Sequence, residues 1–417
     1  MLRQRTLLVL PLLAPALIAC GADPGPGGDP AARSSAEATP TPTAEAADAV
    51  EEAGPQPRVA VSYAGGVLVL DPATGDVLLD EPLDGYVRLN PAGDGRHAFV
   101  SAAGAFTALD LGSWTEAHGD HGHSWSTDPA LTSFTVPAEE PGHAVAHDGL
   151  TTLFDDGTGQ ITVVDPFRIA EGEDPVVDTT ALPEAHHGVA AQEADGTLLH
   201  TVGDAESRSG VRVVTSTGAE LAASDECPGV HGEAFAGDVA VVGCEDGVLV
   251  VDGRRITKVA SPDDYGRIGN QAGHETSPFV LGDYKTDADA ELERPTRVAV
   301  VDTRDASLRL VDLPASYSFR SLGRTEDGDG LVLGTDGALH VVDVRRAKVS
   351  RSIPVVGAWR EPQEWQEARP TLRVVGETAY VTEPARDRLH VVDLATGEVV
   401  VSHRLPHTPD EVVATAG

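Results

Sequence analysis

The sequence predicts an all-β protein, a β-propeller of eight four-stranded blades with seven as the alternative count, closed by pairing of its N- and C-terminal strands. Three observations predict it. A phrase of alternating apolar residues ending in Asp and a turn recurs along the chain, Asp-Gly and Gly-Asp turns separate the apolar runs, and almost no helical periodicity interrupts them. The phrase stands at Val67–Asp71, Phe106–Asp110, Ile161–Asp165, Val211–Thr215 (with Thr in place of Asp), Val248–Asp252, Val298–Asp302, Leu339–Asp343 and Leu389–Asp393. Self-similarity at spacings of 37 to 55 residues in a β-rich chain is the signature of propeller blades.

One copy shows how a blade is built. His231 to Ala236 reads as a strand, Gly237-Asp238 as a turn, Val239 to Cys244 as the next strand, Glu245-Asp246-Gly247 as a turn and Val248 to Asp252 as the third strand. Such dipeptides tolerate the positive backbone angles of tight hairpins. The ends are complementary: Glu411 to Thr415 reads as an innermost strand with nothing after it, and the strand opening at Val59 lacks an innermost partner. Pairing them completes one blade and removes an open edge.

Ahead of the propeller, residues 1–19 read as a lipoprotein signal peptide. Arg3 and Arg5 precede an apolar run from Thr6 to Ile18, too short to span a bilayer, and Leu17-Ile18-Ala19-Cys20 has a cleavage pattern that resembles the bacterial lipobox. Cys20 is the expected lipidation site, and residues 20–57, rich in Ala, Pro, Gly, Thr and acids, are expected to be a disordered linker. The propeller domain is then 58–417. The expected location is extracytoplasmic, with a lipid anchor in the bacterial cell membrane, and the expected state is a monomer.

A formal net charge of −36 argues against nucleic acid as a partner, because phosphates would be repelled, and suits a soluble exported protein that attracts cations. With Cys20 acylated, Cys227 and Cys244 remain as an even pair, and in an oxidising compartment a disulfide is the default.

The chain has fifteen histidines, concentrated between His118 and His231. The densest run is His118-Gly-Asp-His121-Gly-His123, in which His121 and His123 are two apart and project to one side of an extended segment. Three successive innermost strands begin His143-Ala-Val-Ala, His187-Gly-Val-Ala and His231-Gly-Glu-Ala. One repeat position is therefore histidine three times, which points imidazoles from neighbouring blades at a common volume beside the channel. The 121/123 loop is expected to arrive at the same face, so that a four-coordinate zinc draws its ligands from His121, His123, His143, His187 and His231, with copper as a competitor for the same nitrogens. Asp120, Asp148 and Glu233 are candidates to accept the free ring N–H groups. His147 is a reserve ligand, His186 should point away from His187, and His274 lies in a loop that nothing fixes. His97, His200, His340, His390, His403 and His407 read as ordinary strand or loop residues.

His-Gly-Asp-His-Gly-His, His-Ala-Val-Ala-His-Asp-Gly, His-His-Gly-Val-Ala, Cys-Pro-x-x-His-Gly-Glu-Ala and Gly-Cys-x-Asp-Gly, in this order, resemble the periplasmic zinc metallochaperones of the AztD type. The resemblance spans residues 58 to 417. It implies a propeller with no chemistry of its own that binds zinc and passes it to the solute-binding protein of a zinc ABC importer. Its ligands would fall on His121, His123, His143, His187 and His231, and its paired cysteines on Cys227 and Cys244. Two features depart from that family: Gly21 to Gln56 contains no histidine, and the lipid anchor replaces free diffusion. Two other readings compete. One is a zinc-dependent hydrolase or lyase, with Glu233 as general base; the other is a protein-interaction propeller with no metal role.

Overall fold

The computed structural model describes residues 49–119 and 121–417. The expected signal peptide, Cys20, the linker up to residue 48 and Asp120 lie outside them. The described part of the chain is a β-propeller. Eight sheets each carry four antiparallel strands in meander order, one of them with the short parallel strand Gly266–Arg267 added, and all eight copies of the repeat phrase form the third strand of a sheet.

The reason these phrases read as nearly continuous apolar runs is that both faces of each sheet are covered. Leu68 and Leu70 pack against the preceding sheet with Tyr380, Leu389 and Val391, while Val67 and Val69 pack against the following one with Leu89, Ala98 and Val100. The same division recurs between every pair of successive sheets, giving eight apolar layers of which the last joins the eighth sheet to the first. The Asp that ends the phrase turns the chain: Asp71 Oδ1 accepts Ala73 N at 2.7 Å, and Asp393 Oδ1 accepts Thr396 N at 2.8 Å.

The innermost strand Pro409–Thr415 pairs with Arg58–Tyr63, Val59 lying opposite Ala414. One sheet is thus made from both ends of the described chain, as the complementary termini imply. The innermost strands all run the same way, so their first residues gather at one end of the channel and their last at the other.

Two departures from the repeat matter for the site. Between the third strand Ala105–Asp110 and the fourth strand Ala130–Pro137 of one sheet, a hairpin of Ser113–His118 and His121–Ser126 is inserted. It forms a small sheet of its own with Val50–Glu52, paired Glu51 to Trp125. Those three residues fall in the segment that composition assigns to the linker; an edge strand offering its backbone to them orders a stretch that could not order itself.

Cys227 and Cys244 form a disulfide, with an S–S distance of 1.96 Å. Both are fully buried in the apolar layer that they share with Leu199, Val211 and Val242. The bond ties the segment entering His231 to the end of the second strand of the same sheet.

Candidate metal centre

His143, His187 and His231 enter three successive innermost strands, at the end of the channel where those strands begin. Two of the entries are bulged. The pairing register shifts between Pro141 and Ala144 and again between His231 and Glu233, and a bulge re-aims a side chain that regular pleating would direct elsewhere. Gly232 makes the second bulge possible. Its φ is +68°, and a Cβ there would lie 2.4 Å from the Gly269 carbonyl oxygen, so only glycine fits without displacing the backbone.

The three rings converge. Their centroids are separated by 5.3 Å (143 to 187), 5.6 Å (143 to 231) and 4.9 Å (187 to 231), and one nitrogen from each lies within 4.8 Å of the others. His187 Nε2 and His231 Nε2 are 3.0 Å apart. On the far side of its ring, His187 Nδ1 donates to the Asp156 carboxylate, and His231 Nδ1 donates to the Gly269 carbonyl at 2.6 Å. Both protons are therefore assigned to Nδ1, which leaves two Nε2 lone pairs facing each other. Burial, then the neighbouring His187, pushes the His231 imidazole down to about 3. A cation between them removes the repulsion. Zinc at its usual distance from imidazole places tetrahedral ligand nitrogens about 3.3 Å apart, close to this spacing.

The third ring is the most enclosed. Burial first, then His231 and His187, holds the His143 imidazole well below its ordinary range. Its Nδ1 lies 3.7 Å from Glu233 Oε2, an atom buried without a hydrogen-bond partner among the described residues. Burial pushes the Glu233 carboxyl up to about 8.

A second group forms on the inserted hairpin. His118, His121 and His123 also bring one nitrogen each within 4.8 Å of the others. His118 stands opposite His121 across the two-residue tip, where Gly119 has φ +63°. His121 Nε2 and His123 Nε2 are 3.2 Å apart, and His123 Nδ1 donates to Glu51 Oε1 at 2.8 Å. The arrangement repeats that of the first group: one nitrogen is held by an acceptor and the other is turned to a shared point, the pattern of metal-binding imidazoles.

No family model matches the sequence. Over 363 residues the chain is 25% identical to the zinc chaperone AztD of Citrobacter koseri, which covers 84% of each chain. The chain is similar to AztD over most of its length. Its fold superposes on the crystal structure of C. koseri AztD with a TM-score of 0.77 at 23% identity, over 87% of this chain and 99% of that one. The structure of apo AztD gives 0.76 at 22% identity, over 87% and 98%.

Against this fold, common to the chain and AztD, the five expected ligands divide into two sets. His143, His187 and His231 come together, and His121 and His123 come together, but the two sets do not share one point. The hairpin leaves its sheet beside Asp110, which pairs with His97 next to the finish of the innermost strand Arg88–Pro91; the other group sits where innermost strands begin. The expectation of a common face fails because a connection from third to fourth strand lies at the opposite end from an entry to an innermost strand. His118 was missed as a candidate ligand, although the Gly-Asp dipeptide between it and His121 in the sequence is the same turn signal that marks hairpins elsewhere in the chain.

Of the expected supporting carboxylates, Glu233 faces His143, and Asp120 lies outside the described residues. Asp156, from a turn, and the Gly269 carbonyl, from a connecting segment, hold the rings, together with Glu51 on the hairpin group. Asp148 instead accepts Ala194 N at 2.8 Å, beyond the last residue of the innermost strand Pro141–His147. His147 stacks on Phe235 with centroids 3.6 Å apart and lies four residues down that strand from His143. His186 points away from the group as expected, buried on Phe154 with Nε2 3.0 Å from Thr201 Oγ1. His274 bonds Thr276 Oγ1 at 2.9 Å and bridges to Ala236, at the finish of its neighbouring innermost strand.

Proposed function

We propose that this chain is an extracytoplasmic zinc metallochaperone that holds zinc as cargo at two separate sites, His143/His187/His231 at the mouth of the channel and His118/His121/His123 on the hairpin, and hands it to the solute-binding protein of a zinc ABC importer. The observation that carries the reading is the convergence of three imidazoles, with His187 Nε2 and His231 Nε2 3.0 Å apart and each of those two rings held from behind by an acceptor. Three converging imidazoles suit zinc, which accepts nitrogen ligands in tetrahedral geometry and leaves the fourth position to an incoming ligand. Copper competes for the same atoms. Similarity to AztD, named a zinc chaperone, supports carriage rather than turnover, and the disulfide supports a location outside the cytoplasm. A lipid anchor at Cys20 would keep donor and acceptor on one membrane surface.

Elemental analysis of the purified chain after zinc loading and gel filtration tests this. Two zinc ions per chain are expected, falling to one in His118→Ala/His121→Ala/His123→Ala and to one in His143→Ala/His187→Ala/His231→Ala. A wild-type chain that emerges without zinc, or a stoichiometry unchanged in both triple variants, would refute it.

A further inference from the structure

Two arginines flank the three-imidazole group at the channel mouth. Arg208 Nη1 donates to the His187 carbonyl at 3.4 Å. Arg267 lies against Gly269, the residue whose carbonyl holds His231; a Cβ placed on Gly269 would be 3.2 Å from the Arg267 guanidinium. Both side chains are half-buried, and neither forms an ion pair with any described carboxylate. Asp156, the nearest acid to His187, is taken by that ring, and Glu245 acts on Arg208 only at longer range.

The pairing is anomalous in two ways. The chain carries 66 acidic and 30 basic residues, so an arginine has ample choice of partner. Arg208 on the His187 carbonyl and Arg267 against Gly269 set two like charges beside a site that attracts a divalent cation, and they raise the energy of the metal-loaded state. Guanidinium groups offer a planar fork matched to carboxylate oxygens, and a half-buried fork without such a partner is poised to receive one.

We propose that Arg208 and Arg267 form a carboxylate-binding subsite beside His143, His187 and His231, through which an acidic group enters the coordination of the zinc ion as it is exchanged. The inference rests on the zinc-binding reading above. A carboxylate drawn in by the arginines reaches the fourth position of the ion, neutralises part of the local positive charge and loosens the hold of the imidazoles. The arginines thus speed removal of zinc by acidic ligands far more than by neutral ones.

The test uses the full chain in the His118→Ala/His121→Ala/His123→Ala background, loaded with zinc at the channel mouth. Removal rates are measured by stopped flow with EDTA, an anionic carboxylate chelator, and with 1,10-phenanthroline, a neutral one. In Arg208→Gln/Arg267→Gln the EDTA rate is expected to fall about tenfold or more and to lose its dependence on ionic strength, while the phenanthroline rate changes less than twofold. Arg208→Lys/Arg267→Lys, which keeps the charge, should retain most of the EDTA preference. Citrate and a polyglutamate peptide, run as separate arms, distinguish a small carboxylate from one carried on a polypeptide; arginine-dependent acceleration by either supports the subsite. Equal slowing with both chelators, no slowing with either, or no acceleration by citrate or the peptide would overturn it. Failure of the background chain to load zinc at all would instead overturn the metal site itself.

Discussion

Asp156 offers the sharpest test of how the imidazoles are held. Its carboxylate receives the His187 Nδ1 proton, and its Oδ1 also accepts Gly188 N at 3.2 Å, so one side chain fixes both the ring and the backbone that carries it. A hydrogen bond to a charged group contributes about 1.5–3 kcal/mol. Loss of an acceptor behind a metal-bound imidazole lowers affinity by roughly 10- to 100-fold, about 1.4 to 2.8 kcal/mol, so the two scales agree. Asp156→Asn can still accept the proton through its amide oxygen and loses only the charge; it should weaken zinc binding about tenfold. Asp156→Ala frees the ring and should approach 100-fold. The assay is competition against a zinc-sensitive chelating dye in the chain lacking the hairpin histidines, with thermal unfolding of the zinc-free proteins as a control. Zinc affinity within twofold of wild type in both variants would refute the locking argument. So would a loss accounted for by unfolding of the zinc-free chain.

Four further outcomes are expected. Glu51→Gln should weaken zinc at the hairpin group by up to about tenfold through loss of charge behind His123, leaving the channel-mouth site unchanged by dye competition. The zinc-free protein should lose stability as pH falls below about 6.5: the imidazoles of His143, His186, His200 and His231 are lowered by burial, so the unfolded chain binds protons that the folded one refuses. Each contributes a slope of up to about 1.4 kcal/mol per pH unit between that value and its lowered folded-state pKa, and zinc should blunt the effect; a melting temperature flat from pH 7 to 5 in zinc-free protein would contradict this. Cys227→Ala/Cys244→Ala opens a cross-link between residues 17 apart and should cost about 3 kcal/mol in denaturant unfolding while zinc stoichiometry stays the same. Gly232→Ala forces a Cβ against the Gly269 carbonyl and should weaken zinc at the channel mouth, read by dye competition, with the hairpin site unaffected.

The sequence by itself determined the propeller, the third strand of each sheet, the pairing of the two chain ends and the grouping of His143, His187 and His231. All of these follow from repetition: equivalent phrases fold into equivalent positions, because each sheet must bury both faces against its neighbours. Local spacing likewise sufficed for His121 and His123, since residues two apart on a strand share a side whatever surrounds them. Only the tertiary structure decided that these two sets stand apart, that His118 joins the second, and that Val50–Glu52 supplies its supporting carboxylate. The hairpin is an insertion without a counterpart in the other blades, so no repeat position fixes where it goes. The groups behind the rings, Asp156, Gly269 and Glu51, come from a turn, a connecting segment and a strand far along the chain, and their proximity is set by how the blades and the hairpin pack.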